Sequence, residues 1–497
     1  MSKFNEKTKS TQKTESYEGG SVFKRSLEDA WFNELFSSLL QPQFYESSET
    51  QQSRYIDLTE SMIEKYGPKF VGKAAAFSRN ELGMRSISEL TAAILNKYYW
   101  DGKRNFYARY FHRPDDIGEV FGAVQKLGDK RSHALIRGAG DYLSTLNGYK
   151  LMKYRMIHHE NNMYDLINVT HAHSEAIDNF KNNKLSAPDT WESKIVNEHD
   201  PKKVESEWKR LVEEKKLGYL ALIRNLKTIC KLSFVDRNWV SKYLGPQLVD
   251  EAKIEKSLVW PYQIYTAYKS IQPLGVNFVV NYLEHAYLTA CNNVSKLPGS
   301  TLFVLDVSGS MDDPISEKST ISIKEASAAY LTAYALMNVG HSDSTFDIIK
   351  FGNTFTTFEI SSNLTSPFKV IELLSENDDC GYGTNISPAF EYLINDNKKY
   401  DRIILFSDMQ VMQGFSYHYY ATRMARTANS LIKKYRNEVS PGCKIYSFDL
   451  GNYSNQLVSQ DEDIKYITSL NNYVFKSISI LESKNSLIDV INQYEIA

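Results

Sequence analysis

The sequence predicts a two-part molecule: an all-helical half of stacked antiparallel helix pairs, then an α/β half on a doubly wound, mostly parallel sheet. Three observations carry this. Apolar residues recur with a period near 3.6 from Lys24 to about Asn293, with turn residues between segments. At Thr301 the texture changes to short continuous apolar runs separated by helical patterns. At 497 residues the chain is also too long for one core. The expected division is a disordered arm over 1–20, a helical domain over 21–297 and an α/β domain over 298–497.

In the helical half, residues 24–40 place Leu27, Trp31, Leu35 and Leu39 on one face. Further amphipathic stretches run near 52–66, 69–80, 86–99, 115–127, 132–146, 203–216, 218–231 and 274–293. Breaks fall at Gly67-Pro68, Arg113-Pro114, Gly128-Asp129, Asn147-Gly148, Pro188-Asp189 and Gly245-Pro246. Short helices alternating with short turns suggest helix pairs stacked as a solenoid, although no strict repeat of fixed period is present.

In the α/β half, buried strands are expected at 301–307, 346–352, 402–408, 444–450 and 473–479. Helices are expected at 322–339, 366–375, 387–395, 421–437 and 480–494. Such a sheet binds ligands beyond the carboxyl ends of its strands, where the strand order reverses.

Composition narrows the function. No apolar run reaches the roughly 18 residues of a membrane span. The polar N-terminus lacks the apolar core of a secretory signal. Cys230, Cys291, Cys380 and Cys443 are scattered, with neither a disulfide framework nor zinc spacing. A cytoplasmic protein is the expectation. The net charge of −2 hides an asymmetry: residues 1–299 carry 42 Lys and Arg against 36 Asp and Glu, residues 300–497 only 16 against 24. A basic half and an acidic half suit different partners, though scatter alone could give such a difference.

The cations concentrate in 103–155, with eleven against five acids. Aromatic residues and histidines interleave with them. Cations neutralise phosphates and planar rings stack on unpaired bases. Solvated helix faces over a Tyr/Phe core would give the same composition.

Two predicted strand ends carry oxygen ligands. The first runs into Asp306-Val307-Ser308-Gly309-Ser310, and the third ends on Asp408. Between them GYGTN supplies Thr384. These five hard oxygen donors suit Mg²⁺. With only two carboxylates among them, a bound ion would accept another anionic oxygen from a partner. Local capping of loop backbone is the alternative role for Ser308 and Ser310. Taken in order, strand-DxSxS, glycine-preceded Thr and strand-Asp resemble the metal-ion-dependent adhesion site of von Willebrand factor A domains.

An A-type domain after a basic helical domain resembles the Ro ribonucleoprotein family, whose helical part is the TROVE module. The stretch FHRPDDIGEVFGAVQKLGDKRSHALIRGAGDYLSTLNGYKLMKYRM and the later DLINVTHAHS carry the likeness. The family implies a monomeric ring of HEAT-like helical repeats closed by the A-type domain. It also implies binding of small Y-like RNAs and of single-stranded ends of misfolded or surplus non-coding RNAs. Carried over by motif, Lys153 and His171 look like RNA-contact positions, with Arg155 beside the second basic position. Arg137 stands where the family also has a cation, Arg131 belongs to the same basic stretch, and His133 stands where the family pattern looks like an arginine. Without the resemblance, a lone histidine near a helix end such as His171 is more often structural.

The leading expectation is therefore a non-enzymatic RNA-binding protein for RNA quality control, with no DNA or membrane partner. An associated exoribonuclease comes from the family alone. A metal-dependent protein-interaction module, recruiting an acidic partner through the A-type domain with the helical half as scaffold, is the alternative. An enzyme has little support. G-x-S-x-G and H-E-x-x-H are absent, and in GPKFVGKA Ala74 stands where a phosphate-binding loop needs Ser or Thr.

Overall fold

The computed structural model describes residues 13–15, 21–23, 26–37, 48–155, 162–186, 188–195, 198–315, 319–338, 344–360, 366–408, 428, 430–449, 464–467, 474–482 and 487–496. The predicted architecture is observed, with a helix-rich first part followed by an α/β sheet. The arm expected over 1–20 lies outside the described residues except for β1 (Lys13–Glu15), which pairs antiparallel with β2 (Ser21–Phe23). Among the described residues no helix is long and apolar enough to cross a membrane.

The chain forms two compact units. One comprises Met1–Ser48 and Ile254–Ser479; the other comprises Glu49–Lys253 and Ile480–Ala497. The sheet opens at Gly299, but residues 254–297 belong to the sheet-bearing unit. Aromatic packing explains it. Trp260 lies 4.6 Å from Tyr330 and 5.9 Å from Phe475, Tyr268 stacks on Phe368 at 4.2 Å, and the Tyr287 hydroxyl donates to the Ala329 carbonyl at 2.7 Å.

The helical unit shows why its sequence breaks where it does. Pro68, Pro114 and Pro201 each open a helix, where a missing N–H costs nothing. Ser132, Asn147, Asn162 and Ser174 cap the helices His133–Ser144, Gly148–Lys153, Met163–Thr170 and Glu175–Lys181, each accepting a backbone N–H from the first turn. The buried Asp116 carboxylate gathers Arg79 at 3.0 Å and the Arg113 N–H at 3.0 Å, fixing the link between Lys103–Tyr110 and Pro114–Lys126. Two glycines set how closely helices approach. A β-carbon at Gly138 would lie 2.6 Å from the Arg104 carbonyl oxygen, and one at Gly140 would lie 2.7 Å from that of Thr170. The chain's last helix, Leu487–Gln493, returns to this unit, where Tyr494 packs edge-on against Phe77 at 5.3 Å.

The sheet contains β3 (Gly299–Asp306), β4 (Ser344–Phe351), β5 (Phe355–Phe358), β6 (Arg402–Ser407), β7 (Lys444–Asp449) and β8 (Ile464–Ile467), in the order β5-β4-β3-β6-β7-β8. All pairs are parallel except β4–β5. Because β4 lies on one side of β3 and β6 on the other, the order reverses between β3 and β6. The expected strand at 473–479 is instead a helix, Val474–Glu482. A short apolar run does not distinguish the two, and Phe475 and Ile478 are buried at helical spacing. The edge strands β5 and β8 were not anticipated; they are short and polar-interrupted. Of the expected helix 421–437, residues 421–427 and 429 lie outside the described residues.

Replacing Gly140 by alanine forces the Thr170 carbonyl aside. Overpacking of this kind costs about 1–3 kcal/mol, so Gly140→Ala lowers the thermal midpoint of the full chain, while Gly122→Ala, with open space around its β-carbon, leaves it nearly unchanged.

Candidate functional site

Part of the positive charge in 103–155 is engaged locally. Arg104 binds both oxygens of Asp141 at 2.7 Å, Arg113 binds Asp115 at 2.9 Å, and Arg109 donates to the Ile496 carbonyl at 2.7 Å. Arg104, and after it Arg137, hold the Asp141 carboxyl below its usual range. Lys103 is buried, its ammonium donating to the carbonyls of Asn96 and Tyr98 at 2.6 and 2.7 Å. Burial pushes it down to about 8. Lys103 ties two carbonyls and is no surface contact.

The candidate RNA contacts fall on three supports. His133 and Arg137 are exposed, one turn apart on His133–Ser144. Arg137, Gly140 and Ser144 share a face at i, i+3 and i+7. On that face Gly140 meets Thr170, and the Ser144 hydroxyl accepts the His173 N–H at 3.3 Å. His171 lies between these two contacts, exposed, in the left-handed region at φ 54° and ψ 32°. It is the left-handed C-cap of Met163–Thr170, where its own N–H and that of Ala172 both donate to the Ile167 carbonyl. The helix face thus carries His133 and Arg137, and the segment bearing His171 packs against it. Lys153 and Arg155 rest elsewhere, the first 6.0 Å from the Tyr154 ring and the second 5.9 Å from the Tyr164 ring. Arg113 also lies over Tyr154, at 5.4 Å. Arg131 is stacked over Phe121 at 4.4 Å, so much of its guanidinium face is covered. His158 and His159 lie outside the described residues.

A second set of cations escaped the sequence reading. Residues 215–235 hold five cations and no acid, a signal that a count of cations alone overlooks.

The five oxygen donors lie at the carboxyl end of the sheet. Asp306 ends β3 and Asp408 follows β6, at the reversal of strand order. Asp306 is fully buried; its Oδ1 accepts the Ser308 N–H at 2.9 Å and its Oδ2 accepts the Ser407 hydroxyl at 2.6 Å. Burial, with the Asp408 charge adding to it, pushes the Asp306 carboxyl up to about 7. Ser308 Oγ and Ser310 Oγ are 3.4 Å apart, near the roughly 3 Å separating neighbouring ligands in an octahedron with bonds of about 2.1 Å. Thr384 Oγ1 is buried without a hydrogen-bond partner. Among the described residues no three His, Cys, Asp or Glu side chains cluster around a potential metal position. A buried orphaned hydroxyl, two serine hydroxyls and two buried carboxylates are a donor set that fits a hard divalent cation.

The loop carrying Thr384 is tightly determined. Asn377 donates to the carbonyls of Val307 and Gly381 at 2.9 and 3.0 Å, and Gly309 N–H donates to the Tyr382 carbonyl at 3.2 Å. The fully buried Lys350 pairs with Asp378. Asp378 and Asp379 are both left-handed, at φ 47° and 59°. On this strained support the Tyr382 ring is 70% exposed.

Lys103→Met leaves the Asn96 and Tyr98 carbonyls without their donor, a loss of about 1–3 kcal/mol. Its urea midpoint falls below that of the wild type.

The TROVE domain model matches residues 162–301, a span that includes His171 and the acid-free 215–235. No curated protein sequence matches the chain. The crystal structure of the Deinococcus radiodurans Ro (RSR) protein superposes with a TM-score of 0.65 at 14% identity, covering 92% of this chain and 99% of that one. The chain therefore carries a TROVE-matching segment on a fold similar to that of the Deinococcus Ro protein.

Proposed function

We propose that the protein is a non-enzymatic, Ro-type RNA-binding protein that captures small structured, Y-like RNAs and single-stranded ends of misfolded RNAs for quality control. The observation that carries this is the exposed, left-handed His171, inside the TROVE-matching segment, whose neighbours Thr170 and His173 pack against the helix that bears Arg137 and His133. A backbone phosphate would meet Arg137, and an unpaired base would stack on the imidazole. Lys153 and Arg155, each beside a tyrosine ring, extend the same chemistry. In this reading the protein works in the cytoplasm as a monomer, with an exoribonuclease as an associated partner.

The sheet-bearing unit is read as a von Willebrand factor A-type domain whose Asp306, Ser308, Ser310, Thr384 and Asp408 would hold Mg²⁺. When bound, the ion supplies an open coordination position for an anionic oxygen. That open position is the basis of a second reading, recruitment of an acidic protein partner, for which the exposed Tyr382 ring two residues from Thr384 offers contact area.

Arg137→Ala combined with His171→Ala weakens binding of a small structured RNA about ten-fold or more, the loss of one or two contacts of about 1–2 kcal/mol. Fluorescence anisotropy measures it, and unchanged affinity would remove the assignment. Millimolar Mg²⁺ raises the thermal midpoint of the wild type but not of Asp306→Ala. Identical wild-type curves with Mg²⁺ and with chelator would sink the metal site.

A further inference from the structure

The acid-free stretch between Glu214 and Asp236 carries Lys215, Lys216, Arg224, Lys227 and Lys231. About half of it is helical, in two short helices, Tyr219–Arg224 and Leu226–Cys230, separated by Asn225 at φ −96° and ψ 5°. Leu222, Ile223, Leu226 and Ile229 are buried, which fixes the side each helix turns to solvent. Arg224, Lys227 and Lys231 are all exposed. The burial pattern runs through Asn225 without changing phase, with Leu222, Ile223, Leu226, Ile229 and Cys230 buried, which leaves the three cations together on the solvent side.

The surrounding acids are engaged with other groups. Glu205 accepts the Ser233 N–H and hydroxyl. Glu213 accepts the Trp239 indole N–H at 2.8 Å, and Asp236 caps the Trp239 backbone N–H at 2.7 Å. Glu207, Glu214 and Asp189 converge on Arg210. Among the described residues Arg224, Lys227 and Lys231 therefore have no ion-pair partner, unlike Arg104 or Arg113 in the more cation-rich stretch upstream. A rigid face with three unpaired cations and no acid is the electrostatic footprint of a polyanion.

We infer that Arg224, Lys227 and Lys231 form a second docking surface, which takes the phosphate backbone of an RNA strand. This rests on the RNA-binding reading above and adds a surface that reads no bases. Each phosphate neutralised on a single strand contributes about 0.7 to the dependence of log affinity on log salt, so three contribute about 2.

The test uses the full chain and a fluorescein-labelled 20-nucleotide single-stranded RNA, titrated by anisotropy between 50 and 200 mM KCl. Wild type is compared with Arg224→Gln/Lys227→Gln/Lys231→Gln and with Arg137→Ala/His171→Ala. All three glutamine positions are exposed, and circular dichroism checks that the fold is kept. The triple variant should show a slope shallower by about 2, so that wild type loses about twenty-fold more affinity across that range. The Arg137/His171 variant should change the slope by less than 1. A triple variant with the wild-type slope and affinity would overturn this surface and leave the RNA-binding reading standing. A wild type that binds no RNA would remove that reading itself. Polyglutamate binding through these residues more tightly than the RNA would make the occupant an acidic protein and overturn the RNA assignment.

Discussion

Two missing β-carbons govern the helical unit. At Gly138 and Gly140 the helix His133–Ser144 comes within 3 Å of neighbouring backbone, measured from where a β-carbon would stand. Any larger residue pushes the neighbours away. The approach seats the end of Met163–Thr170 against the helix, so that Ser144 can hold the His173 N–H and His171 can be kept left-handed. Arg137 lies on that same face. The positions of its cation and of the imidazole thus follow from a packing constraint on residues that contact no ligand.

The sheet-bearing unit obeys a different constraint. Reversal of strand order between β3 and β6 leaves a crevice at their carboxyl ends, and Asp306 and Asp408 reach it from adjacent strands. Two acids at a buried strand end repel one another and resist ionisation; hydrogen bonds from Ser308 and Ser407 offset only part of that. The buried Lys350 and the Asn377 bonds hold a strained loop over the same crevice. Strain so firmly supported is a common property of binding sites.

The oxygen-donor motif was legible in the sequence because its pieces are local. DxSxS follows a continuous apolar strand, and Asp408 closes another. The two-part architecture was legible because the change of period at Thr301 is abrupt. Other features depend on residues far apart. Nothing near Arg104 in sequence announces Asp141, and nothing near residues 261–290 announces that Tyr268 and Tyr287 pack on the sheet's own helices. Cation count therefore favoured 103–155, where Arg104 and Arg113 are paired with acids, over 215–235, where Lys216 pairs with Asp189 and the three cations of the second helix face do not. The run at 473–479 was ambiguous for a local reason, since a half-buried short helix and a buried strand share its composition.

The central claim is RNA capture by the face that carries Arg137 and His171. The most direct test is ultraviolet crosslinking in cells followed by sequencing of the RNA attached to wild type and to the Arg137→Ala/His171→Ala variant. A few small structured RNAs enriched on wild type and lost from the variant is the result this account predicts. The same bulk RNA on both proteins, in proportion to abundance, would contradict it.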